Sequence, residues 1–277
     1  MPKYKSFLGL GIAGNFALHL AQAGELEEFK DIITAEEAAP KGMFPFYLPR
    51  PTSANKALNT YPLSCEYIRL PKEDVNVQAE PEVALVCDLE YTLGKLSKIT
   101  PTYFGAYNDC SIRVAGANKI SDKKNWGEDS KGFSNTLIEI DTFKDGGVMD
   151  NYSIASFLRR DGEVHAYGED VALTGYSYFH EKLTDWMINQ LTVQEDFGPL
   201  EAIEEYIIEC GNPEQAIISI GATRYTEFGE TTFLKVQDEV IIIVYNRDEI
   251  SHDEIIQSVL NNSYEHSIMS VLSQKVL

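Results

Sequence analysis

The chain has 277 residues, 44% apolar and 24% charged, with a formal charge of −20; that suits one large domain or two small ones with a real core. No stretch approaches the roughly 18 apolar residues a membrane span needs, and the acidic balance argues against nucleic acid or an anionic membrane surface as a main partner. An anionic small substrate stays open, because a bound cation inverts the local field.

In chain order, "FLGLGIAGNFALHLAQAGE" (7–25) follows the start of a short strand predicted over Tyr4–Leu10 and leads into a helix predicted over 15–30. Gly9, Gly11 and Gly14 spell G-x-G-x-x-G, the mark of an NAD-binding dehydrogenase. That motif also needs a second strand ending in an acid, and Asp31, which precedes "IITAEEAAPKG", cannot close one. Lys3, Lys5 and Ala21-Gln22-Ala23 sketch an export signal, but glycines, Asn15 and His19 interrupt its apolar stretch, so a cytoplasmic location is expected. Cys65, Cys87, Cys110 and Cys210 lie far apart, as scattered reduced thiols rather than a disulfide framework or zinc site. The aromatic run "GMFPFYLPRPTS" holds three prolines, which rules out a regular helix; it is either a lid over Met43–Pro51 or a packed connection.

"EPEVALVCDLEY" predicts a strong central strand and "TYFGAYNDCSIRV" another, "TLIEIDTF" alternates with period two, and "SIASFLRRDGEVHAYG" predicts a hairpin turning at Asp161-Gly162. "YSYFHEKLTDWMINQL" and "GPLEAIEEYIIEC" are helix candidates; "QAIISIGATRYT" and "DEVIIIVYN" are strands. The last stretch places Ile255, Ile256, Val259, Leu260, Ile268, Val271 and Leu272 on one helical face, predicting a helix over 251–274. Strands dominate the middle without steady strand–helix alternation, which gives an α+β class.

The chemistry concentrates in acids at strand ends. Glu80 and Glu82 are two apart on a strand and face one way. Such a pair repels itself unless a cation or donor compensates; alone it also fits a solvated strand end. Asp109 adds a third carboxylate, and three oxygen ligands with vacant positions suit Mg²⁺ or Mn²⁺. Arg113 and Lys131 are cations placed to offset surplus charge or hold a substrate carboxylate.

These segments resemble the fumarylacetoacetate hydrolase (FAH) superfamily from about residue 7 to 245. Glu80-Pro81-Glu82 is similar to its E-x-E strand start, Asn108 to Arg113 to its N-D-x-S-x-R segment, and Lys131-Gly132-Phe133 to its K-[SG]-F loop. "SIGATRYTEFGETTFLKVQDEVIIIVY" echoes the terminal turn, with Gln237-Asp238 where the family usually has Gly-Asp. Gly14 to His19 is similar to the histidine segment. Gln22 stands where many members have a Glu, and Val114 replaces an Asp that often follows the arginine.

The resemblance to this superfamily, as a divergent bacterial-type member, implies an α+β fold, a mixed β-roll of the fumarylacetoacetase C-terminal type with flanking helices. It implies a single catalytic domain over 1–250, with 1–70 carrying the histidine segment and possible lid, and a helical extension over 251–277. It further implies Mg²⁺ or Mn²⁺ on Glu80, Glu82 and Asp109, with Arg113, Lys131, Gly221 and Thr223 around the substrate. His19 becomes the candidate base, which Gln22 could orient without stabilising an imidazolium. The expected activity is C–C hydrolysis, decarboxylation or tautomerisation of a small oxo-acid by a homodimer. The alternatives are a related protein that binds metal and oxo-acid without turnover, and the NAD-dependent dehydrogenase.

Overall fold

The computed structural model describes residues 1–114 and 116–277. Its first sheet joins β1 (Leu8–Ala13), β2 (Gly42–Tyr47), β3 (Leu63–Ser64), β6 (Pro81–Thr92), β7 (Lys95–Asn108), β9 (Lys131–Phe133), β10 (Ile138–Glu139) and β13 (Gln215–Ser219). The second joins β4 (Tyr67–Ile68), β11 (Tyr152–Arg160), β12 (Glu163–Ala172), β14 (Glu239–Asn246) and β15 (Met269–Val276). A small ladder pairs β5 (Asn76–Gln78) with β8 (Ser111–Arg113). In space the first sheet runs β2-β1-β13-β6-β7-β9-β3 with β10 on β7, and the second β12-β11-β14-β15-β4. The helices are α1 (His19–Gln22), α2 (His180–Val193), α3 (Ile203–Glu209), α4 (Glu227–Thr231) and α5 (His252–Asn261). This is the mixed α+β roll with flanking helices that the sequence predicts, and no helix among the described residues is long and apolar enough to cross a membrane.

β6 is apolar on both faces because both are covered, as a near-continuous apolar strand requires. Val83, Leu85 and Cys87 share a core with Ile154, Leu158, Ile242 and Val244 of the second sheet and with Leu183 and Met187 of α2. Ala84 and Val86, on the opposite face, pack with Phe46, Tyr107, Phe133 and Ile217. The two strands predicted separately around residues 80 and 105 are the arms of one hairpin. Its turn sets Leu93 at φ 53° and Gly94 at φ 79°, a primed geometry that matches strand twist. Asp161-Gly162 turns β11 into β12 in the same way, with φ of 54° and 85°.

Three expectations are corrected. The helix over 15–30 shrinks to one turn, His19–Gln22, because Leu18 at φ 70° and Gly24 at φ 72° bend the chain at both ends. The aromatic run is half strand and half connection: Gly42–Tyr47 is the buried strand β2, where Pro45 is tolerated because β2 is a sheet edge, and residues 48–53 continue as an irregular Pro-rich connection. The helix over 251–274 stops at Asn261, capped by Asn262 at φ 50°, and Met269–Val276 continues as β15 between β14 and β4. The C-terminal segment is therefore partly sheet, not a helical extension.

The dinucleotide motif is also accounted for otherwise. Gly9 and Gly11 lie inside β1, where a Cβ would collide with the rings of Phe46 and Phe44. Those glycines let aromatic rings close on a strand; they do not form a loop that opens a helix.

Candidate active site

The open end of the β6–β7 hairpin gathers the acids. Pro81 pairs with Asn108 and Glu82 with Tyr107, so Glu80 and Asp109 are the residues just beyond the ladder. The Asp109 amide donates to the Glu80 carbonyl (3.0 Å), and the Glu80 amide to the Asn108 side-chain oxygen (3.2 Å). Asn108 in turn donates to Gln274 of β15 (3.1 Å). Glu80, Glu82 and Asp109 are all buried, and one carboxylate oxygen of each lies within 4.8 Å of the others.

The predicted cations converge on this cluster. Lys131 arrives because β9 pairs with the end of β7; its Nζ donates to the Cys110 carbonyl (2.6 Å) and lies 3.0 Å from Asp109 Oδ1. Arg113 is more heavily engaged than a free substrate clamp. It donates to Gln78 (2.7 Å), Glu25 (2.9 Å) and the Tyr225 hydroxyl (3.1 Å), and its Nη2 is 2.8 Å from Glu80 Oε1. β8 is extended, so Arg113 meets Asp109 only through Glu80.

Lys124, unmarked by any motif, is the closest cation of all. It follows a 3₁₀ turn over Ile120–Lys123, and its Nζ lies 2.7 Å from Glu80 Oε2 and 2.6 Å from Asp109 Oδ2. The neighbouring Lys123 points elsewhere, to Glu25 (2.9 Å) and Glu28 (2.8 Å).

These contacts set the protonation of the group. Burial disfavours the Glu80 carboxylate, but Lys124 and Arg113 outweigh it and hold Glu80 well below the usual carboxylate range. Glu82 goes the other way, raised well above that range by burial and by the Asp109 and Glu80 charges. Burial also opposes charge on Lys124, yet Asp109 and Glu80 keep its ammonium more basic than usual. Lys131 is pulled below the ordinary lysine value by burial, against the Asp109 charge.

His19 sits beside this cluster. Its Nδ1 is 2.9 Å from the Thr223 carbonyl, an acceptor, which fixes the proton on Nδ1 and leaves Nε2 with a lone pair. Burial lowers its pKa below 6.5, with Glu80 raising and Arg113 lowering it, so the ring is neutral at pH 7. Gln22 does not touch the imidazole: its amide oxygen accepts from the Tyr225 amide (2.9 Å) and its nitrogen donates to the Tyr225 carbonyl (3.1 Å). The expected orienting role belongs instead to the Thr223 backbone. Glu25, which a regular helix would carry to the wrong face, returns after the break at Gly24 to bind Arg113 and Lys123. Its charge also reaches His19.

Gly221 has a backbone reason for its identity. At φ 108° it aims its amide at Glu82 Oε2 (3.1 Å), where a side chain would be strained. Thr223 anchors to the Pro81 carbonyl through its amide (3.1 Å). Gln237, standing where the resembled family has glycine, keeps a left-handed φ of 79°, and Asp238 beside it pairs with Arg160. Sequence reasoning missed Lys124, Glu25 and Tyr225. Of these Tyr225 lies in "GATRYT" and Glu25 closes the segment over 7–25, whereas Lys124 lies in no motif segment.

A cleft of about 400 Å³ lined by Glu25, Glu27, Glu28, Arg113 and Lys123 lies on the far side of Arg113 and is not lined by the three acids or by His19. The donor set fits a hard divalent cation. Both Asp109 oxygens and Glu80 Oε1 accept no well-directed hydrogen bond, although cationic nitrogens lie within 3.0 Å of each.

The profile described as "Family of unknown function (DUF5718)" matches residues 25–276. No curated protein matches the sequence. Among solved structures, 2-keto-3-deoxy-D-arabinonate dehydratase complexed with magnesium and 2,5-dioxopentanoate superposes with a TM-score of 0.54 at 17% identity, over 97% of this chain and 72% of that one. A Yersinia pestis CO92 protein assigned to the fumarylacetoacetate hydrolase family gives 0.50 at 12% identity, over 98% and 93% of the two chains. 5-Carboxymethyl-2-hydroxymuconate delta-isomerase from Mycobacterium smegmatis gives 0.50 at 14% identity, over 98% and 78%. At these identities the likeness establishes a shared fold.

Proposed function

The chain belongs to the DUF5718 family, whose function is unknown, and we propose that it is a divalent-metal-dependent enzyme acting on a small oxo-acid through an enolate. The observation that carries this reading is the convergence of Glu80, Glu82 and Asp109 at the end of one hairpin, with a neutral histidine beside them. The dehydratase that shares the fold is bound to magnesium and a carbonyl compound, which supports it. In this reading the chain is a divergent relative of the fumarylacetoacetate hydrolase superfamily. The homodimer rests on that resemblance, the choice of Mg²⁺ or Mn²⁺ also on the three oxygen ligands, and the cytoplasmic location on the scattered cysteines and the interrupted export signal.

Glu80, Glu82 and Asp109 would hold the ion, which when bound supplies a Lewis acid for a keto oxygen. Lys131 and Arg113 hold Asp109 and Glu80 in place and offset their charge. The Gly221 amide fixes the third carboxylate. His19 is the proton acceptor at Nε2, since Nδ1 is committed to the Thr223 carbonyl and burial keeps the ring uncharged. The three reactions differ in the source and destination of the proton His19 Nε2 carries: in hydrolysis it is taken from the attacking water and passed to the carbon released as an enolate, in decarboxylation it is relayed from solvent to the enolate carbon that loss of CO2 leaves, and in tautomerisation it moves between two substrate atoms.

The test is an Mg²⁺- or Mn²⁺-dependent assay on oxaloacetate and acylpyruvates with Asp109→Ala as control. Turnover by the wild type alone is expected; equal activity in the variant sinks the mechanism. A second reading, metal and oxo-acid binding without turnover, is favoured by one feature: Gln22 spends its amide on the Tyr225 backbone and gives His19 no partner. Stabilisation by metal plus oxalate with no turnover on any of these acids would select it.

A further inference from the structure

We propose that the Lys124 ammonium is a built-in counter-cation of the carboxylate cluster, and that a divalent ion binds there only in exchange for it. This deepens the metal-dependent reading and rests on it. Lys124 is buried and touches two of the three carboxylates at once, Glu80 Oε2 at 2.7 Å and Asp109 Oδ2 at 2.6 Å. The Phe44 ring also lies 5.2 Å from Nζ to its centroid, and among the described residues no third carboxylate pairs with Lys124 at contact distance.

A small divalent ion takes carboxylate oxygens at roughly 2.0–2.1 Å. An ion held by those same two oxygens and an ammonium in contact with them are like charges crowded into one buried site, where little water screens the repulsion. Each carboxylate already meets a second cation through its other oxygen, Arg113 on Glu80 Oε1 and Lys131 on Asp109 Oδ1, so the two oxygens that face Lys124 can take the ammonium or the ion but not both. Glu82, which Lys124 does not bind, is the ligand left for the ion alone.

The chain around Lys124 suits such an exchange. Lys123 and Lys124 close one 3₁₀ turn but serve opposite halves of the site. Lys123 binds Glu25 and Glu28 beside the His19 segment, and Lys124 binds the hairpin end. Release of Lys124 from Glu80 and Asp109 therefore leaves the turn anchored through Lys123. Glu25 is the next carboxylate whose charge reaches the freed ammonium.

The experiment is a Mn²⁺ titration of the full chain, read as free Mn²⁺ by electron paramagnetic resonance, on wild type, K124M and K124Q. K124Q keeps a hydrogen-bond donor near both carboxylates and so maintains the measurement if K124M does not fold. Both variants should bind Mn²⁺ roughly tenfold or more tightly than wild type, and adding D109N to either should remove that gain. Amine labelling of the wild type, quantified by mass spectrometry, should show Lys124 becoming more reactive as Mn²⁺ is added. Equal Mn²⁺ affinity in wild type and both variants overturns the exchange while leaving the metal site standing. Absence of binding in all three, up to millimolar Mn²⁺, overturns the metal reading and the exchange with it.

Discussion

The acids and the imidazole of this site are held by different kinds of structure. Glu80, Glu82 and Asp109 stand at the end of two strands of 12 and 14 residues, positioned by a backbone ladder that no single side chain controls. His19 stands on a helix of 4 residues entered through a left-handed Leu18, and its ring is fixed by one bond to a backbone carbonyl. Glu80 and Asp109 are paired to cations; the histidine is kept uncharged. The lesson is that charge can be buried safely where the main chain supplies the geometry, whereas the orientation of the base depends on a few local contacts.

Substitution at the strand ends tests that difference most severely. Asp109→Ala should lower unfolding stability by about 3–5 kcal/mol, because Lys124 and Lys131 would both lose a buried partner. Urea denaturation checks it, together with loss of the Mn²⁺-induced rise in Tm. A loss below about 1 kcal/mol, the range of exposed pairs, would show that the cluster is not the buried ionic core described here.

His19→Gln should cut turnover of a responsive oxo-acid on the order of 100-fold or more while leaving the Mn²⁺ response intact, which separates the two halves of the site. It also carries a pH signature. The folded pKa of His19 lies below 6.5, so the unfolded chain takes up the proton first as pH falls. The stability that depends on a neutral His19 is complete above pH 6.5 and is lost as pH drops through the folded value. Denaturation midpoints between pH 4 and 8 should therefore fall less steeply on the acid side in His19→Gln than in wild type; parallel curves would refute the buried neutral ring.

The smallest effect belongs to Gln22→Glu. The carboxylate keeps the bond from the Tyr225 amide but loses the donor to the Tyr225 carbonyl and to Glu230, which becomes a like-charged neighbour, a cost of roughly 1 kcal/mol or more readable as a lower Tm. Turnover should not rise. A clear gain in activity would mean that this position does act on the imidazole, and the contrast between the two halves would break.

Much of the site was legible because its residues sit at strand ends that apolar runs announce. "EPEVALVC" had to be a buried strand, so the acids opening it had to lie at its mouth, and Asp109 closes the partner strand in the same way. Lys124 was not legible. Its partners are 44 and 15 positions away, and "DKKNW" has neither periodicity nor motif to set one lysine apart from the other. Gln22 differs for a related reason: local spacing offers His19 as its neighbour, but its amide bonds the Tyr225 backbone 203 residues away and the Glu230 side chain.

The sequence by itself determined the strand-rich α+β class, the two hairpin arms, the Asp161-Gly162 turn and the three acids. Each of these follows from side-chain alternation, burial or the φ preference of a few residues, and all act over short range. Tertiary structure decided that the aromatic run is an edge strand and that the chain's last segment leaves its helix to enter a sheet. It also decided that Lys124, not only Lys131 and Arg113, reaches the acids. Those outcomes depend on which distant surfaces meet and on buried charges that must find a partner, and neither can be read from neighbours along the chain.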